Sequence, residues 1–124
     1  MSAELSSSPP RLRRFRDRDR YVAALDAVAA VDLNTRREWQ KTARKIEAHA
    51  GKFTIEEIQA TPEGTFESGD NGFAADATVY LRWDDLPGPA EELAASVTGH
   101  FDTTGDRPVA VVDHVTVDPR VALE

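Results

Sequence analysis

The residues from 73 to 83, "FAADATVYLRW", alternate in character. Phe73, Ala75, Ala77, Val79, Leu81 and Trp83 hold the odd positions; Ala74, Asp76, Thr78, Tyr80 and Arg82 hold the even ones. A period of two marks a strand with one apolar face, because successive side chains leave opposite sides of a pleated backbone. "AASVTGHF" repeats the device with Ala95, Val97, Gly99 and Phe101. "VAVVDHVTVD" (109–118) does so with Val109, Val111, Val115 and Val117, in a row that Asp113 interrupts. Between the last two strands, Thr103-Thr104-Gly105 has the form of a three-residue hairpin loop with Gly supplying positive φ. That register sets Phe101 opposite Arg107, His100 opposite Pro108 and Ala94 opposite His114, with every odd-numbered apolar residue turned inward. In "KFTIEEIQA" Phe53 and Ile55 alternate, but Ile58 and Ala60 fall on the other parity. A strand there needs a bulge, and Thr54 with Glu57 also has the capping-box spacing of a short helix. The strand is the favoured reading.

Ahead of residue 51 the period is helical. In "RLRRFRDRDRYVAALDAVAAV" (11–31) Leu12, Phe15, Val22, Leu25 and Ala29 recur on one helix face, in a stretch rich in Ala, Leu and Arg. "VDLNT" breaks the pattern. Thr35 and Glu38 then have capping-box spacing, Trp39, Ala43, Ile46 and Ala50 form an apolar stripe, and Gly51 suits a helix end. "SGDNG" (68–72) and "DDLPGPAEE" (84–92) read as turns or loops. These elements predict an α+β fold: two N-terminal helical segments packed on one face of a roughly four-stranded antiparallel meander. Residues 11–124 form the single domain, and residues 1–10, small and polar and ending in Pro-Pro, form a disordered leader. The contact expected between layers is the Trp39–Ile46 stripe against the face of Val79 and Val111. The other sheet face carries Asp76, Thr78, Tyr80, Arg82, Ser96, Thr98, His100, Val112, His114 and Thr116, which suits water or a second subunit.

Composition narrows the chemistry. The 124 residues include no cysteine, which removes disulfides, thiol nucleophiles and thiolate metal sites together. No apolar run is long enough for a membrane span, and "MSAELSSSPP" lacks the basic-then-apolar order of a secretory signal, so the default compartment is the cytoplasm. The net charge of −7 is unevenly spread. Residues 1–45 hold eleven Arg/Lys against six Asp/Glu, and residues 46–124 hold four against sixteen. Such a split fits two halves that face each other within a molecule or across a dimer, an acidic surface serving solubility, or a basic patch for an acidic partner.

Asp113 is the candidate for acid–base chemistry, because a carboxylate in a core must be paired, protonated or near water, and burial raises its pKa. The plainer reading is a bulge that re-aims it outward, or an arginine such as Arg37 or Arg44 that caps it. In the hairpin register above, six residues separate the levels of His100 and His114, about 20 Å at ~3.4 Å per residue. That distance excludes a two-histidine metal site, and Asp113 and His114 point to opposite faces. "RLRRFRDRDR" (11–20) holds six arginines, two aspartates and one phenylalanine, a pattern that can engage phosphates, although nucleic-acid binders are usually basic overall. Phosphate-binding glycine loops, nucleophile elbows and paired-histidine metalloprotease helices are absent from the sequence, and no cofactor motif appears. The favoured function is therefore a non-catalytic interaction protein that self-associates or docks on a protein partner, with Arg11, Arg13, Arg14, Arg16, Tyr80, His100 and His114 as contact residues. The alternatives are a small-ligand pocket or acid–base enzyme built on Asp113, and nucleic-acid binding through Arg11–Arg20.

Overall fold

The computed structural model describes residues 11–123, so the leader expected over 1–10 lies outside the described residues. In chain order the elements are β1 (Leu12–Arg13), α1 (Arg18–Ala29), a 3-10 turn (Leu33–Thr35), α2 (Arg37–Ala50), β2 (Phe53–Ser68), β3 (Gly72–Trp83), β4 (Glu91–Asp102), β5 (Val109–Val117) and the short α3 (Arg120–Leu123). The sheet is an antiparallel meander in the order β1-β2-β3-β4-β5. The helices lie on one of its faces, and α1 touches both β2 and β5, so the sheet curls around it. This is the expected α+β architecture, with one strand more than the hydrophobic pattern announces.

The extra strand comes from the start of the chain. The helical spacing of Leu12 and Phe15 predicts a helix from residue 11, but the helix begins only at Arg18. Asp17 sets that start: its carboxylate accepts from the amides of Asp19 and Arg20, which would otherwise lack partners. Leu12 and Arg13 instead pair with Ser68 and Glu67. α2 is a separate helix. Asp32 caps the 3-10 turn before it, and Thr35 turns its hydroxyl back to the Asp32 carbonyl at 2.8 Å, so the expected Thr35–Glu38 capping box does not form. Trp39 and Ile46 are buried from the α2 stripe, and Gly51 ends the helix at φ +106°.

β2 is longer than its sequence suggests and irregular twice. One shift lies between Ile55, opposite Leu81, and Glu57, opposite Tyr80. That bulge at Glu56 is what the parity change from Ile55 to Ile58 requires, and both isoleucines end on the helix side. A second shift spans Ala60 to Thr65. Between the layers lies one core, in which Val28, Leu33, Trp39 and Ile46 meet Ile58, Val79, Leu81, Leu93, Val97 and Val115. Aromatic rings close both ends of it. Trp39, Phe53 and Trp83 stack edge to face with centroids 5.9 Å apart at each step, while Phe15, Phe73 and Phe101 gather at the other end. α3 adds Ala122 to the core, and its start is tied by Asp118, whose carboxylate takes the amide and side chain of Arg120.

The β4–β5 hairpin departs from its expected register. Asp102 pairs with Val109, Phe101 with Ala110 and His100 with Val111, so the loop covers 103–108 and is not a three-residue turn. Physically, the longer loop removes Asp106, Arg107 and Pro108 from the ladder, where the shorter one would have set Arg107 against Phe101. Asp102 begins the loop by accepting from both the amide and the hydroxyl of Thr104. Between Gly99, opposite Val112, and Thr98, opposite His114, Asp113 is one residue too many. This bulge reverses the parity of the strand. Ala110 and Val112 face the helices ahead of it, as Val115 and Val117 do after it, whereas Val109 and Val111 turn outward and are 59% and 38% exposed. The expected inward positions of Val109 and Val111, and the outward one of Val112, are thereby corrected.

Candidate functional site

The middle of the helix-free sheet face carries the small residues Ala74, Thr78, Ala94, Ser96, Thr98 and Thr116 around one carboxylate, Asp76, which lies opposite Ser96. Its two ends differ. Where β3 begins, the face carries Leu12, Phe66, Val109 and Val111, with His100, His114 and Asp113. Where β3 ends, it carries Tyr80 between Glu57 and Glu92, and Arg82, whose guanidinium lies 3.1 Å from Glu56. The eight residues from Gly72 to Tyr80 separate the ends by roughly 27 Å at ~3.4 Å per residue. Of the three contact residues expected on this face, the structure therefore brings His100 and His114 together and leaves Tyr80 at the far end.

Asp113 sits at the bulge with its side chain outward. Its Oδ2 lies 2.8 Å from His100 Nδ1, and the two side chains are 41% and 48% exposed. The expected distance of about 20 Å between His100 and His114 does not hold: His114 faces Thr98, two residues from His100 on β4, and borders the same open groove as Asp113. Asp113 and His114 therefore share a face, against the expectation from uninterrupted alternation. Among the described residues, no group of three or more His, Asp or Glu side chains is placed to hold a metal ion. A carboxylate beside an imidazole orients the ring, but proton transfer also needs a reacting group held against the pair and water kept out. Asp113 and His100 lie open to solvent. The arginine that braces the bulge is Arg36, not Arg37 or Arg44, and it grips backbone. Its guanidinium donates to the carbonyls of Val112 and Asp113 at 3.1 and 3.3 Å.

The arginines of 11–20 are divided by the structure. Arg11 is exposed, and its carbonyl accepts from the Gly69 amide. Arg13 turns to Glu67, 3.6 Å away, and to the Gly69 carbonyl. Arg20 lies over the Phe101 ring, 5.1 Å from its centroid. Arg14, Arg16 and Arg18 instead line one pocket of about 410 Å³ with Phe15, Tyr21, Glu63 and Phe66. The second irregularity of β2 shapes its far wall: Tyr21 donates its hydroxyl to the Pro62 carbonyl, and the buried Thr65 donates to the Thr61 carbonyl. Sequence reasoning missed Tyr21 and Arg36, and held Arg18 only as part of the Arg11–Arg20 alternative. Tyr21 and the meeting of Arg18 with Arg14 and Arg16 were hidden because a single helix over 11–31 spreads the arginines around its surface. Arg36 carries no local signal, since its partners lie 76 and 77 residues away.

No family model, no curated protein and no solved structure matches this chain. Among the described residues, no helix is long and apolar enough to cross a membrane.

Proposed function

We propose that this chain is a non-catalytic interaction protein that pairs with a second copy of itself through the helix-free face of the sheet. The observation that carries this reading is that Leu12 on β1 and Val109 and Val111 on β5, 53%, 59% and 38% exposed, lie at the same end of that face, with the half-buried Phe66 and Ala74 on the strands between them. The other large exposed aliphatics, Val22, Leu86 and Val121, are scattered over α1, a loop and α3. Single apolar residues on a surface are ordinary, whereas several at one end of one sheet face favour a cover.

The face is a better contact than the edges. On β5 the bulge bends the strand and Arg36 occupies two of its carbonyls, which blunts the edge against further pairing. The opposite edge strand, β1, has two residues. A two-fold axis near Thr98 would lay the Leu12 and Val111 end of one face on that of its copy and hold the far ends, with Glu56, Glu57 and Glu92, apart, with Asp76 as the one carboxylate close to the axis. A symmetric contact needs this self-complementarity. Four strands at ~4.8 Å and ten residues at ~3.4 Å give a face of roughly 650 Å². Only its apolar end would be covered, below the ~800 Å² per partner of a standard interface, so the dimer is expected to be weak.

Sedimentation velocity over a concentration series tests this reading. Wild-type chain should pass from monomer to dimer, and Thr98→Arg should stay monomeric, because two like charges would meet at the axis while the exposed Thr98 position leaves the fold intact. A chain monomeric at ~1 mM, or a T98R variant that dimerises like wild type, rejects the proposal. An acid–base enzyme built on Asp113 has less support, since that carboxylate is open to solvent.

A further inference from the structure

We infer that the pocket between the Arg14–Arg18 segment and the Thr61–Thr65 irregularity of β2 binds a small phosphate monoester that carries a flat aromatic group. Arg14 and Arg16, in the irregular stretch between β1 and α1, and Arg18, which opens α1, line one cavity of about 410 Å³. Their neighbours have found partners within the fold: Arg13 with Glu67, Arg20 on Phe101, Arg36 on β5. Arg14, Arg16 and Arg18 have no ion pair or hydrogen bond to any described side chain. All three are exposed, and an anion seated among them would take up their unpaired charge.

The charge balance selects the ligand. Three arginines less the Glu63 carboxylate leave the lining at +2. The nearby Asp17 carboxylate, which is not in the lining, accepts from the amides of Asp19 and Arg20 and keeps its own negative charge. A phosphate monoester near pH 7 carries roughly −1.5 to −2 and offers three acceptor oxygens to guanidinium forks. A lone carboxylate would satisfy half of that charge. Phe15, Tyr21 and Phe66 add aromatic surface to the same lining, suited to a flat ring. The volume lies toward the lower end of the range of ligand pockets, about 300–1,000 Å³. A long polyanion fits less well, because beyond the pocket it would run along a chain of net charge −7.

This inference is independent of the sheet-face contact, which lies outside the Arg14–Arg18 lining except at the shared Phe66. The test is a titration of the full ¹⁵N-labelled chain, followed by NMR, with phenyl phosphate, adenosine monophosphate, inorganic phosphate and a single-stranded decanucleotide. Both monoesters should bind saturably and shift the amides of residues 14–21 and 61–66. Inorganic phosphate should bind roughly tenfold more weakly for want of stacking. Arg14→Ala, Arg16→Ala and Arg18→Ala should each weaken phenyl phosphate about tenfold, while Arg107→Ala, in the β4–β5 loop, should leave it unchanged. Four results would overturn the inference: no saturable binding of either monoester, shifts centred elsewhere, equal affinities for phenyl and inorganic phosphate, or undiminished binding when all three arginines are replaced. A decanucleotide that binds more than tenfold tighter than the monophosphate would replace it with a polyanion site. If an arginine variant fails to fold, the wild-type shift map decides alone.

Discussion

A methyl group at position 99 has nowhere to go. A Cβ built on Gly99 would run into the Val111 carbonyl oxygen and come within 2.5 Å of the Phe73 ring, a buried side chain of the neighbouring strand. Neither is the loose end of a flexible chain, so Gly99→Ala should destabilise the protein by about 3 kcal/mol in urea unfolding, the upper range for overpacked sites. Asp102 offers a gentler probe. Hydrogen bonds from the Thr104 hydroxyl, and then from its amide, hold the Asp102 carboxyl below its ordinary pKa. A value depressed in the folded state means the stabilising contribution is full above the unfolded pKa and is lost as pH falls through the folded one. Acid therefore loosens the 103–108 loop, and alkali does not. An NMR titration should find the Asp102 midpoint below that of a free aspartate, and Thr104→Val should move it back up. At this scale the oddity of Asp113 was legible, since a carboxylate breaks an otherwise unbroken row of valines. Its partner was not, because His100 reaches it only through a register that the loop residues decide.

The elements repeat that lesson with larger pieces. β3 and β4 could be read from alternation alone, since each is lined inward by Phe73, Val79 and Leu81 or by Leu93, Val97 and Phe101. The helix spacing of Leu12 and Phe15 misled for a reason that lies outside the segment: β2 runs on to Ser68, past the residues whose pattern announced it, and offers Leu12 and Arg13 a partner. Pairing of that kind is tertiary and overrides local propensity. β5 shows how an edge strand of high β-propensity is kept single. Arg36→Ala should release the Val112 and Asp113 carbonyls and cost about 1 kcal/mol in denaturant unfolding. Amide exchange in β5 should quicken while exchange in β3 keeps its wild-type rate.

For the molecule as a whole, the charge split in the sequence becomes a difference between layers. The basic half supplies α1, most of α2 and the segment ahead of them, and the acidic half supplies most of the sheet. The two layers do not neutralise each other by ion pairs: of the bridges among described residues, only Arg13–Glu67 joins the two halves. The class of fold, the order of its layers and the presence of an open sheet face were all legible from the period of the pattern. The meeting of Arg14, Arg16 and Arg18 was not, because it depends on where α1 starts and on an irregularity in a strand more than forty residues away.

The extra residue in β5 works as a frameshift in the pleat. It lets one strand serve two surfaces, with the outward valines of its first half drawn from the same parity as the inward valines of its second. Substitutions on one side of residue 113 can then accumulate without disturbing the other side. Loss of the single codon for Asp113 would remove the bulge and leave both faces as they are: with Val112 next to His114 the alternation runs unbroken, Ala110 and Val112 still inward and Val109 and Val111 still outward, while His100 loses its carboxylate partner.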